Sequence, residues 1–151
     1  MIKVFISGSI GIKTLPLAAM EKINSIMSHN YEILIGDANG VDSTVQKLLA
    51  SNSYPNVTVY YAGNKIRNNI LPWQSKGIQP HNNEKGRELY TLKDIAMAYD
   101  ADFGLMIWDG KSKGTLNNML TMKQLNKKFF VVNNGDLFSS ADFDSLTGLL
   151  C

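Results

Sequence analysis

Cysteine is nearly missing from this chain. Of 151 residues only Cys151 carries a thiol, so neither an internal disulfide nor a cysteine-based zinc site can form. Histidine is scarce too. His29 and His81 stand far apart and offer no metal-ligand spacing, so no metal and no cofactor are expected. No apolar run is long enough to span a bilayer. Met1 to Ser7 reads as a strand and not as a signal peptide, and a cytoplasmic location follows as the expectation. An excess of one charge is also lacking. Lys plus Arg is 15 against 13 Asp plus Glu, a net charge of +2. That balance argues against a membrane surface and against nucleic acid as the partner. Neither GxGxxG nor GxxxxGK[ST] occurs, which removes the usual dinucleotide and ATP-hydrolysis fingerprints. What is present is a 44% hydrophobic chain, enough for one domain over residues 1–151 with its own core.

Short apolar runs alternate with helical spacing. Strands are expected at Ile2–Ile6, Tyr31–Ile35, Val57–Tyr61, Phe103–Trp108 and Lys128–Val132. Helices are expected from Thr14, as N-cap, to about His29; from Val41 to about Ala50; from Glu88 to Asp100; and from Thr115, as cap, to about Leu125. Their apolar stripes are Leu17, Met20, Ile23, Ile26 and Met27; Val45, Leu48 and Leu49; Leu89, Leu92, Ile95, Ala96 and Tyr99; and Leu116, Met119, Leu120 and Met122. Residues 62–86 read as one long polar loop, and 133–136 as a turn followed by a short helix from Ser140. About five strands alternating with helices predict a parallel, doubly wound α/β sandwich of three layers.

In such sheets ligands sit beyond the carboxyl ends of the strands. Three segments fall there. Ser7-Gly8-Ser9 follows the first strand and offers hydroxyls beside a glycine that lets backbone approach closely. Gly36-Asp37-Ala38-Asn39-Gly40-Val41-Asp42 turns from the second strand into a helix. Asp42 suits the first turn of that helix, where a carboxylate meets the positive end of the dipole or accepts from sugar hydroxyls. Asp109-Gly110-Lys111-Ser112-Lys113-Gly114-Thr115 is a second such turn and the expected phosphate cradle, through its backbone N–H groups and hydroxyls. In the long loop, Arg67-Asn68-Asn69 offers a clamp for a base or phosphate, and Trp73 a stacking ring. Lys93 and Asp94, on the surface of a helix, read by themselves as a solvated pair.

The Gly36–Asp42 turn resembles the G-x-A-x-G-[IVA]-D turn of the SLOG superfamily, which includes DNA-processing protein A. Met97 to Thr115 is similar to the M-A-x-x-A-D…G-T segment of the lonely-guy phosphoribohydrolases. The whole pattern looks like a compact group of uncharacterised bacterial and phage proteins. The resemblance implies a Rossmann-like nucleotide-binding fold with a phosphate on the last glycine loop. By analogy with related domains, which pair through helices, it also implies a homo-oligomer. The phosphoribohydrolase pattern has an acidic residue where Asn118 stands and an arginine where Lys93 stands. An amide cannot do the work of a carboxylate there.

Two readings follow. In the first the chain binds a nucleotide or nucleotide-derived ligand in a sensing or handling role. The contacts are Ser7, Gly8, Ser9, Gly36, Asp37, Ala38, Gly40, Asp42, Arg67, Asp109, Gly110, Lys111, Ser112, Gly114 and Thr115. In the second it cleaves the N-glycosidic bond of a nucleoside monophosphate, with Asp42, Lys93 and Asn118 as candidate catalytic residues. Single-stranded nucleic-acid binding is a third class, disfavoured by the charge balance.

Overall fold

The computed structural model describes residues 1–143. Among them seven strands form one sheet: β1 (Lys3–Gly8), β2 (Glu32–Gly36), β3 (Val57–Ala62), β4 (Gln74–Ile78), β5 (Phe103–Trp108), β6 (Lys128–Asn133) and β7 (Asp136–Ser139). Their spatial order is β4-β3-β2-β1-β5-β6-β7. All neighbours are parallel except β7, which pairs antiparallel with β6. The helices are α1 (Leu17–Ser28), α2 (Val41–Ser51), α3 (Arg87–Asp100) and α4 (Lys113–Gln124). The doubly wound Rossmann-like sandwich read from the alternation is the fold observed.

The central strands are apolar runs because both of their faces are covered. Side chains alternate between the faces with period two. Val4, Ile6, Ile33, Ile35, Val57, Val59, Leu105 and Ile107 pack on one side with Ala19 and Ile23 of α1 and Val45 and Leu49 of α2. Phe5, Leu34, Tyr60, Met106, Trp108, Phe129 and Val131 pack on the other side with Met97 and Ala98 of α3 and Met119 and Met122 of α4. A one-residue slip would carry each strand's set to the opposite layer, so the pairing of Ile6 with both Ile35 and Leu105 is strongly specified.

Several expectations give way. The 62–86 segment is not a loop throughout. It holds β4, an edge strand whose residues Gln74, Ser75 and Lys76 are exposed, and a strand without a buried face leaves no apolar alternation to read. Trp73 is a core residue, only 8% exposed, with its indole N–H donated to the Tyr54 carbonyl at 2.8 Å; it is not a free stacking ring. Residues 133–136 do turn, but the chain returns as β7. A 3-10 turn follows at Ser140–Asp142, and the remainder of the expected tail helix lies outside the described residues. At the start of α1 the cap position is Pro16 and not Thr14. Thr115 does not cap α4: it is the third residue of the helix, and Ser112 holds the cap position. The buried stripe of α3 runs through Lys93, Met97 and Ala98, rotated from the expected one, and Tyr99 faces solvent.

Candidate functional site: a cleft at the switch point of the sheet

From β1 the sheet grows outward through β2, β3 and β4 on one side and through β5 and β6 on the other. The loops leaving β1 and β5 therefore diverge, and a crevice opens between the carboxyl ends of these two strands. A cleft of about 740 Å³ lies there, walled by α2, α3 and the start of α4.

The start of α4 is held by a carboxylate. Asp109 Oδ1 accepts the N–H groups of Lys111 and Ser112, each at 2.8 Å. Partial burial works to raise the Asp109 pKa, but the Ser112 and Lys111 N–H groups prevail and hold the carboxyl below its ordinary value. The first ladder bond of α4 runs from Leu116 N–H to the Ser112 carbonyl at 3.4 Å. The N–H groups of Lys113, Gly114 and Thr115 precede it, and no side chain caps the helix. A Cβ at Gly114 would meet no atom within 4 Å, so the helix start is open there; Lys113 and Thr115 line the same cleft, Thr115 as a buried residue.

A row of hydroxyls crosses the crevice beside it. Ser9 Oγ accepts the Asp109 N–H at 3.1 Å and lies 2.8 Å from Ser112 Oγ. Ser112 Oγ donates to Thr115 Oγ1 at 3.1 Å. Deeper in, Asn118 Nδ2 donates to Ser7 Oγ at 2.7 Å, and the same side chain hydrogen-bonds the Asp94 carboxylate.

The opposite part of the cleft is charged. Lys93 is only 4% exposed, with Nζ 3.7 Å from Asp37 Oδ1 and 3.7 Å from Asp94 Oδ1. The solvated pair expected from sequence is thus a buried lysine between carboxylates. Asp37 is also buried and takes the Arg67 backbone N–H and guanidinium, both at 2.8 Å. Burial works against its charge, but the Arg67 hydrogen bonds and Lys93 hold its pKa below the ordinary value. Asp42, the second residue of α2, accepts the Ala38 N–H at 3.2 Å. Burial pushes its pKa up to about 6, against the pull of Lys93. Burial also raises Asp94, again opposed by Lys93 and by the Asn118 hydrogen bond. Gly36 makes this cluster possible, because a Cβ there would collide with the Asp42 carboxylate and the Lys93 ammonium. Among the described residues every buried side-chain nitrogen and oxygen has a partner. Among the described residues no group of three His, Cys, Asp or Glu residues is placed to hold a metal ion, and none of their helices is long and apolar enough to cross a membrane.

Of the contacts and catalytic candidates named from sequence, Ser7, Gly8, Ser9, Ala38, Asp42, Arg67, Lys93, Ser112, Gly114, Thr115 and Asn118 converge on the cleft, and Asp94 and Lys113 join them there. Gly36, Asp37, Gly40, Asp109, Gly110 and Lys111 stand outside its lining and shape the loops behind it. Asn68 is spent on the Gly36–Asp42 turn, donating to the Asp37 carbonyl, and Asn69 on the backbone of Trp73 in its own segment. Sequence reasoning missed Arg87, Tyr90 and Thr91 on the first turns of α3, which complete the wall. The Arg67 guanidinium lies 4.4 Å from the centroid of the Tyr90 ring. Their only signal was a polar helix start after a long polar segment, which a solvated helix face shares.

No family model matches this chain, and no curated protein matches it. Among solved structures it is similar to DNA processing protein A from Helicobacter pylori, a structure described for its single-stranded DNA binding mode. The TM-score is 0.62 at 17% identity, over 86% of this chain and 64% of the other. At that identity the likeness is one of fold, and the chain spans less than two thirds of that neighbour.

Proposed function

We propose that this chain is a SLOG-type domain that binds a nucleotide or nucleotide-derived small molecule in the cleft, with its phosphate at the start of α4. The observation that carries the reading is the open backbone of Lys113, Gly114 and Thr115, uncapped and facing the same cleft as the Ser9, Ser112 and Thr115 hydroxyls. Unpaired N–H groups at the positive end of a helix dipole favour an anion. The cradle is narrower than the sequence suggested. Lys111 and Ser112 give their N–H groups to Asp109, so the donors left for a phosphate are those of the first helical turn. Asp42 and Asp94 line the deeper part of the cleft, where acceptors suit sugar hydroxyls and where their charge stays away from the phosphate.

The test is saturation-transfer NMR against nucleoside mono-, di- and cyclic phosphates, with a single-stranded oligonucleotide included. Wild type should show transfer to a nucleotide, and Gly114→Val should lose it while melting as a folded protein. Unchanged affinity in that variant sinks the cradle. Oligonucleotide binding with a steep salt dependence and no mononucleotide binding would move the reading to single-stranded nucleic acid.

A second reading, N-glycosidic cleavage of a nucleoside monophosphate, draws on Asp42. A carboxyl raised to about 6 beside a lysine is poised near neutral pH for proton transfer. Free base and ribose phosphate growing over hours in the same NMR samples would establish turnover. If Asp42→Asn left that turnover untouched, the role assigned to Asp42 would be gone.

A further inference from the structure

We infer that the Arg67–Tyr90 stack is the platform for the ligand's heterocycle, which makes Tyr90 a specificity-determining residue selecting phosphates that carry a planar base over bare phosphosugars. The inference rests on the nucleotide reading and adds to it an orientation and a residue.

The sheet sets the layout of the cleft. Its open N–H groups follow β5, and the Ser7 and Ser9 hydroxyls end β1. Asp42 follows β2, and α3 carries Tyr90 on the layer that covers β2 and β3. Neighbouring strands lie about 4.8 Å apart. The step from the start of α4 to the Arg67–Tyr90 wall thus crosses two to three strand spacings, roughly 10–14 Å. A phosphate, a pentose and a base laid in a row fit that span. With the phosphate on α4, the pentose falls between Ser7, Asp94 and Asp42, all hydrogen-bond acceptors or hydroxyls. The base then meets the α3 wall.

The wall has the chemistry for that end. Tyr90 is 39% exposed and lines the cleft together with Arg67. The guanidinium stands over the ring in cation–π contact. Asp37 pins Arg67 through both its backbone and its side chain, so the plane is pre-organised before any ligand arrives. Bases stack on tyrosine rings and on guanidinium planes alike. Arg67 is a poor residue to mutate because it also holds the Asp37 loop. Tyr90 is the cleaner probe: its side chain is partly exposed, it belongs to neither apolar core cluster, and its ring meets the Arg67 and Lys93 cations.

The experiment compares two probes, a nucleoside 5′-monophosphate and ribose 5-phosphate, on wild type, Tyr90→Phe and Tyr90→Ala by titration calorimetry. Tyr90→Ala should weaken the nucleotide about tenfold or more and leave ribose 5-phosphate unchanged. Tyr90→Phe, which keeps the ring, should match wild type with both. An equal loss with both probes would mean that Tyr90 only shapes the cleft, and would overturn the platform. No loss with the nucleotide would overturn it as well. If wild type bound ribose 5-phosphate but gained nothing from a base, the platform would fail while the phosphate cradle stood. If neither probe bound wild type, the nucleotide reading itself would fall and take the platform with it.

Discussion

The turns Gly36–Asp42 and Asp109–Thr115 look alike as sequence. Each leaves a buried strand, each carries two glycines and at least one aspartate, and each opens a helix. Neither helix start has a side-chain cap, but the two turns are packed differently. In the first turn, Asp37 is sealed behind Arg67 and Lys93, and Asp42 occupies the first turn of α2 and folds back onto Ala38 N–H. The backbone is closed as well: Gly40 has φ of +81°, and a Cβ there would run into the backbone of Ile10. In the second turn, Asp109 satisfies only the two N–H groups before the helix and leaves the first helical turn uncovered. One glycine turn is a structural knot, the other an open donor surface. A glycine-bearing strand-to-helix turn is therefore no evidence of an anion site until the packing around its backbone has been followed: Val41 is fully buried, whereas Gly114 faces open space.

The comparison can be broken by substitution. Asp37→Ala should cost the most, about 3–5 kcal/mol, because it takes one of its two carboxylate partners from the buried Lys93 and releases Arg67. Urea denaturation measures it, and a loss below about 1 kcal/mol would mean that the knot is not structural. Gly40→Val should come next, at about 2–3 kcal/mol, from a left-handed backbone and a clash with Ile10. Gly114→Val is the counterpart in the open turn. It should cost no more than about 1 kcal/mol yet remove the ligand, and similar stability losses for the two variants would erase the distinction drawn between the turns.

The smallest effect is a slope. Burial raises the Asp42 carboxyl from 3.8 to about 6 in the folded chain. Between those values the folded state binds more protons than the unfolded state. The stability contributed by Asp42 therefore falls as pH rises from about 4 to about 6, and is level above. Asp37, Asp100 and Asp109 are lowered instead, and their contributions are lost only as pH drops below the ordinary carboxylate range. Asp42→Asn should make the profile shallower between about pH 4 and about pH 6, with the raised Asp94 still contributing in the same direction; melting temperature across buffers follows it. An unaltered slope would show that Asp42 titrates as an ordinary surface acid.

Legibility followed burial. Strands such as Val57–Ala62 and Phe103–Trp108 were readable because both faces of the sheet are covered, and an apolar run between turn residues is then unambiguous. The strands β4 and β7 were not, since an edge has no buried alternation and takes its conformation from the neighbour it pairs with. The stripe of α3 was misread for a related reason. Periodicity assumes that buried means apolar, and here the inward face includes Lys93, which is paired with Asp37 from the β2–α2 turn as well as with its neighbour Asp94. Eleven of the contacts and catalytic candidates named from sequence reach the cleft, because the position after a parallel strand places them at one end of the sheet whatever their neighbours are.

The sequence alone determined the alternation of strands and helices, the doubly wound class and the end of the sheet where chemistry gathers, because these depend on local period and turn residues. Only the tertiary structure decided which N–H groups remain free, that Lys93 is enclosed by carboxylates, and that Arg67 from one segment covers Tyr90 from another. The Lys93–Asp37 and Arg67–Tyr90 contacts join residues distant in the chain, and pairings of that kind are set by how the layers meet; the free N–H groups depend on the conformation of one loop.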